Sequence, residues 1–232
     1  MKEFTNILKA NKQGEVRGIY SVCSAHPLVI EAAIEQAKAD NSPILIEATA
    51  NQVNQYGGYT GMLPADFNEF IGKIADSKNY PRDRVILGGD HLGPVCWANE
   101  ASEEAMVKAR KLIKSYVAAG FKKIHLDTSM NCADDPVVLP DELVAERAAD
   151  LCAVAEKTAV HEFGKSDLFF VIGTEVPPPG GATEEIHELE LTPVERVKRT
   201  LELHQHAFIK RGLSSAWDRV VGLVVQPGVE FD

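Results

Sequence analysis

Asp90 and His91 stand side by side behind a short apolar run, Val85-Ile86-Leu87, after two glycines and just before Gly93-Pro94. An imidazole in such a place can ligate a metal while the carboxylate beside it moves a proton or orients a ligand. Gly88-Gly89 suits a close backbone approach. The plainer reading is that Asp90 caps a turn and His91 fills it. Similar polar groups recur along the chain: Ser24 and His26, Glu47 and Asn51, Asp127, Glu175 and Gln226 each end or follow an apolar run. Glu47 and Glu175 close strongly apolar segments, where an unpaired carboxylate is costly, so each must meet a ligand or a paired neighbour. His125, two residues before Asp127, shares its face if the segment is a strand, and suits a satisfied core imidazole as well as a catalytic one. The amides Asn51, Gln52, Asn54 and Gln55 can read sugar hydroxyls or simply order a loop. His26, ahead of Pro27, suits a helix start and also the lining of a site. His161, His187, His204 and His206 fall on helical or polar stretches and are expected in solvent.

The elements that position these groups alternate. Residues 3–13 predict a short helix with Phe4, Ile7 and Leu8 on one side. Strands are expected at 18–23, 43–48, 85–87, 123–127, 168–175 and 219–226, with Asp90-His91 just past the third. Helices are expected between them. Pro27 suits the first turn of one, with Ile30, Ala33, Ile34 and Ala37 on its inner face, and Pro64 starts another with Phe67, Phe70, Ile71 and Ile74. Ser102 before Glu103 and Glu104 predicts an N-cap, with Gly120 as the stop. Pro140 opens a helix through Val154, and Thr192-Pro193-Val194-Glu195 predicts a capped start for the last one. Six strand-then-helix units without a hairpin signal mean parallel strands joined by helical crossovers. A doubly wound open sheet would gather its polar groups at one switch point, behind a Gly-rich turn after the first strand. Here they end every strand and that turn is missing, so the expected fold is an α/β (β/α)8 barrel. A 3-2-1-4-5-6 strand order would refute it. Because the sequence stops at Asp232, directly after the sixth strand, residues 1–232 read as the N-terminal and central part of one barrel domain, cut before the last strands. Expressed alone, such an arc is expected to pair edge to edge or aggregate.

Composition narrows the function. With 232 residues, 45% hydrophobic and 25% charged, the chain has the make-up of an ordinary globular domain. A net charge of −10 argues against nucleic acid and against anionic membrane surfaces. The four cysteines contain no CxxC pair, which suits reduced thiols and a cytoplasmic protein. No G-x-x-x-x-G-K-[ST] phosphate loop or kinase signature is present.

Longer motifs carry a resemblance. Ser21-Val22-Cys23-Ser24-Ala25-His26-Pro27, Glu47-Ala48-Thr49-Ala50-Asn51-Gln52-Val53-Asn54-Gln55, Gly57-Gly58-Tyr59-Thr60-Gly61-Met62, Gly89-Asp90-His91-Leu92-Gly93-Pro94, His125-Leu126-Asp127, Gly173-Thr174-Glu175-Val176-Pro177 and Val225-Gln226-Pro227-Gly228-Val229-Glu230-Phe231-Asp232 resemble the GatZ/KbaZ family. Its members are accessory, Z-type subunits of class II tagatose-1,6-bisphosphate aldolase, often labelled tagatose-6-phosphate kinases. They look like distant relatives of the metal-dependent catalytic subunits. The resemblance therefore implies a barrel, a catalytic class II aldolase subunit as partner, and a place in galactitol or N-acetylgalactosamine catabolism. In the catalytic subunits an Asp-His pair ends one strand, the His on the metal and the Asp acting as acid/base. Asp90-His91 matches that pair. Glu175 keeps the spacing of a later Glu to a Gly-Gly pair, here Gly180-Gly181. The strand end where a further metal-binding histidine would fall, Gln226-Pro227-Gly228, carries none.

The leading expectation is thus an accessory aldolase subunit. The rival is an enzyme acting itself on a keto-sugar or sugar phosphate, by aldol cleavage or epimerisation. In that reading a divalent metal such as zinc lies on His91 and Glu175. Asp90 and Asp127 are catalytic, and Glu47, Asn51, His26 and Gln226 touch the substrate.

Overall fold

The computed structural model describes residues 2–173 and 191–226. The elements follow in the order α1 (Lys2–Lys12), β1 (Ser21–Cys23), α2 (Pro27–Ala39), β2 (Ile44–Thr49), α3 (Pro64–Ser77), β3 (Val85–Leu92) and α4 (Ser102–Ala118). Then come β4 (Lys123–Leu126), α5 (Asp141–Phe163), β5 (Phe169–Gly173), α6 (Val194–Lys210), the short α7 (Ser214–Trp217) and β6 (Val220–Val224). All neighbouring strands pair in parallel, in the order β1-β2-β3-β4-β5-β6. Sequential order excludes the doubly wound alternative. The sheet is the curled arc that the first strands of a barrel would form.

Strand residues alternate between its two sides. Outward positions such as Ile44, Ile46, Leu87, Ile124 and Phe170 meet the helices in the main core. The helices answer with stripes at helical spacing: Ile30, Ile34 and Ala37 on α2, then Ala105, Met106, Ala109, Leu112, Ile113 and Tyr116 on α4. On the concave side Leu45, Ile86 and Phe169 form a second, smaller cluster with Phe4 of α1, while Leu8, Ile19 and Val221 pack beside it. The Phe4 and Phe169 rings meet edge to face at 5.0 Å. The N-terminal helix therefore closes the amino end of the arc with an apolar plug.

Several local expectations need correction. Asp90 and His91 lie inside β3, not past it, and the register with β4 shifts between Gly89 and Leu92. Ser102 is the first residue of α4 rather than its cap, and its N–H goes to Asp134 instead. Thr192 does not cap α6; its hydroxyl accepts from the Gln226 N–H, and its own N–H bonds the Gln226 carbonyl. The α5 helix runs on past Val154 to Phe163, where Gly164 ends it in a left-handed turn at φ +74°. His204 is buried rather than solvated, with Nδ1 2.8 Å from the Thr200 carbonyl. Among the described residues no helix is long and apolar enough to cross a membrane.

Candidate functional site

Beyond the apolar plug, the concave face of β2, β3 and β4 turns polar. Glu47 follows Leu45 on β2, Gly88 and Asp90 follow Ile86 on β3, and β4 contributes Lys123 and His125. A Cβ on Gly88 would run into the Glu47 carboxylate. The bare backbone there lets side chains from the strands on either side meet over β3. Lys123 Nζ accordingly lies 2.7 Å from Glu47 Oε1, an ion pair whose angles fall short of a hydrogen bond, and 3.6 Å from Asp90 Oδ1. The Ser21 hydroxyl donates to the other Glu47 oxygen at 2.6 Å. Adjacent strands are only about 4.8 Å apart, so a β2–β4 contact across β3 requires the curl of the sheet.

The Asp90-His91 step breaks the pleat. In a regular strand the two side chains would point to opposite faces. His91 instead takes φ +48°, a left-handed conformation that a bulky side chain rarely adopts, at the register shift. Its ring then lies 4.7 Å from that of His125. Gly93 allows the return, because a Cβ there would strike the Asp127 carbonyl. Strain of this kind persists only where the surroundings over-determine it, and it is concentrated at working sites.

Hydrogen bonds fix each member. His91 Nδ1–H donates to Asp127 Oδ2 at 3.0 Å, while the Ser129 N–H and hydroxyl occupy Asp127 Oδ1. That bond sets the His91 tautomer and presents its other nitrogen toward Asp90, 3.8 Å from Oδ2. His125 Nδ1 lies 3.3 Å both from Asp90 Oδ1 and from the His91 backbone N–H. A ring nitrogen cannot donate to the first and accept from the second at once. With Asp90 ionised, donation to the carboxylate prevails. His125 Nε2 is then a buried lone pair with no hydrogen-bond partner among the described residues.

Burial alone would raise the Asp90 carboxyl. The His125 hydrogen bond and the charges of Lys123 and His91 outweigh it and hold Asp90 well below the usual carboxylate range. Asp127 is likewise depressed: burial opposes, and donation from His91 and Ser129 prevails. The Cys23 thiol meets solvent at one edge, yet desolvation, followed by Asp90 and Glu47, pushes it up to about 12. Burial and the neighbouring carboxylates thus disfavour the thiolate form of Cys23.

Asp90, His91 and His125 each present one ligand atom, all within 4.8 Å of one another. Two ligands of one tetrahedral zinc stand roughly 3.3 Å apart, given bonds of about 2.0–2.1 Å. The His91 Nε2–Asp90 Oδ2 separation of 3.8 Å is near that spacing, and a divalent ion would displace the proton that His125 Nδ1 shares with Asp90 Oδ1, so the donor set fits a divalent ion.

Of the residues expected from sequence, Asp90, His91, Asp127 and Glu47 come together here. Asn51 is exposed on the loop after β2, with Cys96 Sγ 3.2 Å from its side-chain oxygen. His26 is the exposed N-cap residue of α2, its N–H bonded to the Ser24 hydroxyl. Gln226 closes the backbone pairing with Thr192 beyond β6. Glu175, with Gly180 and Gly181, lies outside the described residues. Asn54 and Gln55 order the loop: Asn54 holds Ala50, Tyr56 and Gly58, and Gln55 bonds the Lys108 carbonyl. Sequence reasoning missed Lys123 as a member of the site. A lysine opening a short apolar strand reads as its solvated end. Only the bare Gly88 opposite Glu47 pointed to the ion pair.

A parallel, sequentially ordered six-stranded sheet flanked by helices makes this an α/β protein, its curled arc consistent with part of a barrel. The D-tagatose-1,6-bisphosphate aldolase subunit GatZ/KbaZ-like family matches residues 4–232, and the chain belongs to that family. A crystal structure of a probable tagatose 6 phosphate kinase from Sinorhizobium meliloti 1021 superposes with a TM-score of 0.82 at 51% identity. The match covers 93% of this chain and 50% of that one, so the chain spans about half the length of this relative.

Proposed function

We propose that this protein is an accessory subunit of tagatose-1,6-bisphosphate aldolase, supporting the activity and stability of a catalytic class II subunit. It would work in the cytoplasm, in galactitol or N-acetylgalactosamine catabolism, on a complete (β/α)8 barrel. The observation that carries this reading is the family match across residues 4–232. The site is in keeping with it. Asp127, Glu47 and Asp90 are each engaged by a protein neighbour, as befits a centre that now holds its own fold in register. The kinase name on the similar structure finds no counterpart in this sequence, which has no phosphate loop of the P-loop type. Mixing the protein with a class II aldolase catalytic subunit at micromolar concentration tests the proposal. A co-migrating complex is expected; two separate species would refute it.

One observation favours a second reading, direct chemistry on a keto-sugar or sugar phosphate: the Asp90, His91 and His125 cluster fits a divalent ion. Such an ion would supply Lewis acidity toward a substrate carbonyl. Asp127 would fix the His91 ring, and Asp90, set by Lys123 and His125, would use its carboxylate oxygen left off the ion to take or return a proton at the substrate hydroxyl. Glu175 would complete the ligand set, and Asn51, His26 and Gln226 would meet the sugar. Metal analysis of the purified protein with a sugar-isomer assay decides it. Neither metal nor turnover would remove this reading.

A further inference from the structure

The centre of the arc carries an unequal set of charges. Glu47, Asp90 and Asp127 bring three carboxylates, and Lys123 is the one ammonium among the described residues that touches them. Glu47, Lys123, His125 and Asp127 are all under 9% exposed, so water screens little of this. Two negative charges are left for the imidazoles or a bound cation to answer. The ammonium does not stand aside from that contest. Lys123 Nζ faces Asp90 Oδ1, the same oxygen that faces His125. It is held there from below by Glu47, and the bare Gly88 backbone lets that pair form.

We propose that Lys123 is the resident cation of this centre: a positioning residue that orients Asp90 and limits how tightly a divalent transition-metal ion binds at Asp90, His91 and His125. The proposal rests on the reading of that cluster as a divalent-ion site. A compact ammonium beside a ligand oxygen repels an incoming dication and occupies one of the directions that oxygen offers. Metal affinity then becomes a property of a residue that is not itself a ligand. A weak, exchangeable site is expected, in place of a closed structural one.

The test is titration of chelator-stripped protein with Co²⁺, followed by its visible absorption bands, and with Zn²⁺ by calorimetry. Wild type, Lys123→Met and the paired variant Glu47→Gln/Lys123→Met are compared. Removing Lys123 is expected to tighten binding at least tenfold. The paired variant leaves no orphaned carboxylate, so it carries the test should Lys123→Met fail to fold, and it should show the same direction. Wild-type binding that either folded variant leaves equal or weaker would overturn the role of Lys123 while leaving the metal reading intact. If none of the proteins binds either ion, the metal reading and this inference fall together. The Co²⁺ bands separate these outcomes from a loss of folding, which circular dichroism reads independently.

Discussion

The concave face of one sheet holds two centres that share strands and differ in every other respect. At the amino end Leu45, Ile86 and Phe169 pack dry against Phe4. Further along, β2 and β3 present Glu47 and Asp90, and β4, between β3 and β5, adds Lys123 and His125. The plug needs only shape and apolar area, so it stabilises without direction. The polar centre needs each partner in place, because every group there loses water and must be answered by another. The contrast assigns stability to the amino end of the strands and chemistry to the carboxyl end. It makes different predictions for substitutions a few ångströms apart.

The largest effect is expected at the plug. Phe169→Ala removes a nearly buried ring and its contact with Phe4, and should cost about 3–5 kcal/mol in urea unfolding. The His91 and His125 ring signals should stay in place by NMR. Their loss would show that the two centres are one.

Asp127→Asn comes next. It keeps the shape but removes the charge that accepts from His91 and Ser129, and about 1–3 kcal/mol should be lost. Nitrogen shifts of His91 should report a changed tautomer balance, while the Phe4–Phe169 contact persists. The pH dependence has a definite sign. Asp90 and Asp127 have folded pKa values below the ordinary 3.8, so their contribution is complete above that pH and fades as pH falls through the folded values. Asp127→Asn should therefore flatten the acid limb of the stability curve.

The smallest effect lies outside both centres. Burial depresses the His204 pKa below 6.5, against the Thr200 carbonyl and Asp141, which raise it. The unfolded chain then binds more protons below pH 6.5, and stability should decline as pH drops through that value. His204→Gln should remove this slope in thermal melts between pH 7 and 5. An unchanged slope would place its origin elsewhere.

The same contrast explains what could be read from the residues alone. The helices and strands of the outward core were legible because apolar periodicity and the punctuation of Pro27, Pro64 and Gly120 follow from local physics, whereas the packing of Phe4 onto the concave side and the helix end at Gly164 were not. Asp90, His91, Glu47 and Asp127 were legible as costly polar groups behind apolar runs. Their mutual arrangement was not. The left-handed turn at His91 depends on the register shift against β4, and the Lys123–Glu47 pair depends on the absence of a side chain at Gly88. Both are relations between strands far apart in sequence. His204 did leave a signal: with Ala207 and Phe208 it falls at i, i+3 and i+4 on the buried face of α6. Its polarity hid the pattern.

The most direct test of the account is tagatose-1,6-bisphosphate cleavage by a catalytic class II subunit, alone and with this protein, followed over hours. An accessory subunit should raise both the initial rate and the half-life of activity. At a temperature where circular dichroism shows it folded, His91→Ala should preserve that support if the polar centre serves the fold alone, and abolish it if the centre acts on the sugar. An unchanged rate and half-life with the wild-type protein present would contradict the account.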